Sequence, residues 1–105
     1  MTENANTTPT TVDELVYKLR RPFIFDGQTI TELKLDFDSL TGNDLIECER
    51  KAAVRKDTSY MKETSKTYAA IVAARAANVP EEVVFKLPAK DFTRLTVLVQ
   101  NFLLN

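Results

Sequence analysis

The sequence predicts an α+β fold: an N-terminal β-hairpin packed on a bundle of three main helices. Three observations carry this. Asp26-Gly27 sits between two apolar runs, and this dipeptide favours a two-residue hairpin turn because both positions tolerate positive φ. Leu33, Leu35 and Phe37 alternate with Lys34 and Asp36, the period of a strand with one wet face. After Leu40 the apolar spacing changes from two to the three-and-four pattern of helices.

Residues Met1 to Thr11 hold five threonines, two asparagines and one proline, and no large apolar residue after Met1. Such a segment cannot bury enough surface to fold, so residues 1–11 are expected to be a disordered polar arm and residues 12–105 a single domain. The hairpin is placed at about 15–37. Leu15, Tyr17 and Leu19 alternate with Val16, Lys18 and Arg20, and Pro22, which cannot donate to a ladder, belongs at a strand end or an edge. The apolar phase slips between Ile30 and Leu33, and a bulge or bend is expected near Thr31-Glu32.

Three main helices follow, at about 42–56, 59–77 and 88–103. Thr41 is suited to cap the first, with Asp44 placed to meet the helix dipole. Asp57-Thr58-Ser59 reads as a break and a new N-cap. Met61, Tyr68, Ile71, Val72 and Val79 then fall on one face of the second helix, whose alanines let a neighbouring backbone come close. Pro80-Glu81-Glu82 opens a short helical turn to about Lys86. Pro88 suits the start of the last helix, in which Phe92, Leu95, Leu98, Val99 and Phe102 form the core stripe.

The composition narrows the function classes. The chain has no histidine and one cysteine, Cys48. Imidazole general bases, nucleophile–histidine pairs and most transition-metal sites are therefore absent from the sequence, and a reducing compartment is expected. Only Gly27 and Gly42 are present, so no Gly-rich phosphate loop exists. The longest apolar run is Tyr68 to Ala74, far short of the ~20 residues a bilayer span needs. No enzyme activity, cofactor or metal is expected, and neither a nucleic acid nor a membrane partner. Net charge is −1, but residues 1–50 hold ten acidic and five basic side chains and residues 51–105 hold five acidic and nine basic. That asymmetry is either ordinary surface charge or a basis for head-to-tail association or an acidic partner.

A few polar features invite chemistry, each with a plain alternative. Asp36 with Asp38, or Asp44 with Glu47 or Glu49, can hold Mg²⁺ or Ca²⁺ in principle, or are simply solvated carboxylates near a helix start. Cys48 is a small buried side chain or a reactive thiol. Arg20-Arg21 beside Pro22 is a solvated strand end or a contact for an acidic partner.

The order of several motifs matches a known family. Val16-Tyr17-Lys18-Leu19 leads to Pro22, then to Phe25-Asp26-Gly27 and Ile30-Thr31-Glu32-Leu33-Lys34-Leu35. Leu40-Thr41-Gly42-Asn43-Asp44-Leu45 follows, and Asp91-Phe92, Leu95, Val99 and Phe102-Leu103 close the series. This resembles the small tail assembly chaperones of long-tailed bacteriophages over residues 14–104. The chain departs from the pattern in its long, Ala-rich central helix and its Thr-rich arm. The resemblance implies a protein of the host bacterial cytoplasm that binds the tape-measure protein, keeps it soluble, helps recruit tail-tube protein and is absent from the finished virion. It also implies, for many members, a C-terminal extension made by ribosomal frameshifting. The rival readings are a structural tail or head-completion subunit retained in the particle, and a small adaptor unrelated to phage.

The expected partner surface lies on the last helix, with Val97, Phe102, Leu103 and Leu104 as anchors. Val97 and Leu104 are left over from the core stripe and lie two turns apart on one side. They mark a partner groove, a homo-oligomer seam, or isolated surface apolar residues.

Overall fold

In a computed structural model, which describes residues 14–105, the chain is a two-stranded antiparallel hairpin followed by three main helices and one short one. The expected arm at 1–11 lies outside the described residues. Strand β1 (Glu14–Phe25) pairs with β2 (Gln28–Asp36). Asp26 and Gly27 both have positive φ, 51° and 78°, the backbone of a type I′ turn, with Phe25 opposite Gln28. The register is irregular at the expected height, but on the other strand. Lys18 faces Glu32 and Phe23 faces Ile30, so Leu19–Pro22 stand against Thr31 alone. The inserted residues lie on β1 because Pro22 has no N–H to give a ladder.

A single 3-10 turn (Phe37–Ser39) links the hairpin to α1 (Gly42–Val54). Helix α1 starts in a capping box. The Asp44 N–H donates to Thr41 Oγ1 at 3.3 Å, and the Thr41 N–H donates to Asp44 Oδ2 at 2.8 Å. Hydrogen bonding by the Thr41 N–H, with help from Arg75, holds the Asp44 carboxyl below its ordinary range. Ile46 and Ala53 face solvent, and Cys48 and Ala52 carry the buried contact.

The second main helix begins later than the sequence suggested. Helix α2 runs Lys66–Ala77, not from residue 59. Its N-cap is Ser65, whose hydroxyl accepts from the Tyr68 N–H at 3.1 Å. Asp57 organises the connecting loop instead of starting a helix. It accepts from the Ser59 N–H and hydroxyl and the Ser65 hydroxyl, and pairs with Lys62 Nζ. Met61, expected on the helix's inner face, therefore sits in that loop and is exposed.

Helix α2 is the centre of the fold. Every residue from Tyr68 to Ala74 is buried, and it packs against α1, β2, the short helix α3 (Glu81–Phe85) and α4 (Ala89–Leu104). The stretch Tyr68–Ala74 is apolar on all sides and has no wet face, and its alanines admit neighbours on each side. It ends at Asn78, in the left-handed conformation that Asn adopts at helix ends. Ion pairs tie the shell together. Arg75 of α2 bonds Asp44 and Glu47 of α1, while Arg55 reaches Glu81 and Glu82 and lies 3.9 Å over the Phe85 ring.

Candidate partner-binding surface

Helix α4 is amphipathic, and its inner side is fixed at both ends. Leu95, Thr96 and Val99 are buried, while Phe92, Leu98 and Leu103 are half-buried against the core. The Thr96 hydroxyl is satisfied by the Thr93 carbonyl at 3.0 Å. At the N-terminal end Asp91 is 1% exposed, in the first turn of the helix where a carboxylate suits the dipole. The Tyr17 hydroxyl donates to Asp91 Oδ1 at 2.6 Å, and the Arg20 N–H donates to the same oxygen at 3.3 Å. Burial, and then this hydrogen bond to a carboxylate, push the Tyr17 hydroxyl up to about 12. Asp91 thus gives the β1 bulge a buried acceptor. At the C-terminal end Phe102 stacks on the buried Phe37 ring, with centroids 4.4 Å apart and planes 9° from parallel.

The outer side of the same helix is free of such ties. Lys90, Thr93, Arg94, Val97, Asn101 and Leu104 are exposed at helical spacing. A shallow groove of about 420 Å³ is lined by Tyr17, Thr93, Arg94, Val97 and Leu98. A second recess of about 330 Å³, lined by Ala89, Lys90, Thr93 and Arg94, continues it toward the helix start. Tyr17 therefore serves two surfaces: its ring walls the groove and its hydroxyl holds Asp91.

The anchors expected from sequence separate into three kinds. Val97 and Leu104 share the outer side, 43% and 58% exposed. Phe102 is 40% exposed, but one face of its ring is spent on Phe37. Leu103 is half-buried and packs on the core. Tyr17 belongs to the strand alternation and Asp91 to the closing motif in the sequence, but nothing there gives Tyr17, Asp91 or Arg94 a role at this surface. Asp91 shows as a helix-start acid, yet nothing local indicates that its acceptor faces a tyrosine 74 positions away.

The other polar candidates have structural occupations. Asp44 and Glu47 are both engaged by Arg75. Among the described residues no group of acidic or sulfur side chains is arranged to hold a metal ion. Cys48 is buried, and burial pushes its thiol up, away from the reactive thiolate. None of the described helices is long and apolar enough to cross a membrane.

A family model for phage tail assembly chaperone proteins (E, or 41 or 14) matches residues 16–104. No curated protein and no solved structure matches the chain.

Proposed function

This chain belongs to the phage tail assembly chaperone family, and from that membership we propose that it binds the tape-measure protein in the host cytoplasm through the outer side of α4. The carrying observation is that α4 is clamped inwardly at Asp91 and Phe102 while Val97 and Leu104 remain open to solvent along one side. A pre-positioned helix with spaced apolar residues and a groove beside it is a surface on which a long amphipathic chain docks without reorganising its host. The role is one of binding, not catalysis. The same surface keeps exposed apolar stretches of the client apart until tail-tube protein arrives.

Co-expression with the tape-measure protein of the same phage tests this. The tape-measure protein should stay soluble and co-purify with the chain. A tape-measure protein that is equally insoluble with and without the chain, and that elutes apart from it, contradicts the reading.

A further inference from the structure

The outer side of α4 changes character along its length. Its first turns present Lys90 and Arg94, and the neighbouring bulge of β1 presents Arg20 and Arg21, all exposed. Arg94 and Arg20 both stand close enough to Tyr17 to favour its ionised form. The acid built into this end, Asp91, is buried and committed to Tyr17 and the Arg20 backbone. Among the described residues none of these four cations has a carboxylate within ion-pairing distance. Beyond Arg94 the chain carries no ionisable side chain through residue 105. The two recesses share Thr93 and Arg94, so the cationic and apolar parts form one continuous strip.

We propose that this strip takes an apolar helical segment whose carboxylates are gathered at one end, docked with those carboxylates on Lys90 and Arg94 and its apolar side chains on Val97 and Leu104. The proposal rests on the reading of α4 as the partner surface and adds the partner's chemistry and its direction. Apolar contact alone cannot fix the direction in which a segment lies. Reversal would set apolar side chains against Lys90 and Arg94 and leave carboxylates over Val97 and Leu104, and that difference selects one orientation. Arg20, whose backbone N–H meets Asp91, and its chain neighbour Arg21 add positive charge at this end of the fold and draw the acidic end toward it during encounter.

The test uses the full chain and the tape-measure protein of the same phage, with Kd measured in NaCl at about 0.1 M and about 1 M, where charges act over about 10 Å and 3 Å respectively. Wild-type affinity should fall by about tenfold across this range. Lys90→Glu/Arg94→Glu, checked for wild-type circular dichroism, should bind about tenfold more weakly at the lower salt and within about twofold of wild type at the higher. If the reversal unfolds the chain, Lys90→Gln/Arg94→Gln is read in the same way. A Kd that ignores salt, or a charge variant that binds as wild type at low salt, overturns the proposal while leaving the binding role intact. Absence of any complex at either salt overturns the binding role, and this proposal with it.

Discussion

The Tyr17 hydroxyl donates to Asp91 Oδ1 at 2.6 Å, joining strand β1, just before its bulge, to the first turn of the last helix. A two-stranded hairpin is marginal by itself and needs a packed face and fixed points to hold one position. Here the face is Leu33 and Leu35 against α2, and Asp91 is the fixed point at which a side chain and a backbone N–H of β1 meet one carboxylate.

Tyr17→Phe keeps the ring and removes only the donor. Asp91 would be left buried with the longer Arg20 contact alone, at a cost of about 1–3 kcal/mol. Chemical denaturation should show this loss with an unchanged m-value. The Tyr17 hydroxyl is raised in the folded state, so its contribution is present below its ordinary value near 10 and is lost as pH rises toward about 12. Wild type should therefore lose stability over that window more steeply than Tyr17→Phe.

Asp57 should govern acid sensitivity. Hydrogen bonds from Ser59 and Ser65, with Lys62 beside them, bring its carboxyl down to about 2. A depressed carboxylate stabilises the fold above its unfolded value near 4, and that stability disappears as pH falls through about 2. Asp57→Asn should cost about 2 kcal/mol at neutral pH. It should also flatten the stability profile between about pH 4 and pH 2, as measured by urea unfolding at a series of pH values.

Phe102→Ala should destabilise the chain by about 1–2 kcal/mol, since it removes a stacked aromatic contact from a half-open site. Phe102→Leu should lose less than half of that in a thermal melt. A melt unchanged by Phe102→Ala would mean that the ring is held for a partner and contributes nothing to the fold.

The parts of this architecture that were legible in the sequence are those written locally. Asp26-Gly27 specifies its turn by backbone preference, and Thr41 with Asp44 specifies a helix start within three residues. The spacing of Leu95 and Val99 identifies the inner side of α4. The parts that were not legible depend on distant partners. Asp57 and Ser59 have the residue types of a helix cap, but the pairing of Asp57 with Ser65 and Lys62 makes a loop and delays α2 to Lys66. The phase slip at Thr31 is visible on β2, whereas the inserted residues lie on β1, where Pro22 gives way. Asp91 could be read as a dipole partner, yet its role as the hairpin's anchor exists only once Tyr17 is brought to it.

Val97→Asp/Leu104→Asp places two charges on the outer side of α4, the proposed partner surface. Both residues are exposed, so the double variant should keep wild-type circular dichroism and a melting temperature within about 5 °C of wild type. The measurement is the fraction of co-expressed tape-measure protein recovered in complex with the chain. Recovery should fall by at least about tenfold, as expected when charges are set into an apolar docking strip. A folded double variant that recovers as much tape-measure protein as wild type would contradict the assignment and place the partner elsewhere on the molecule.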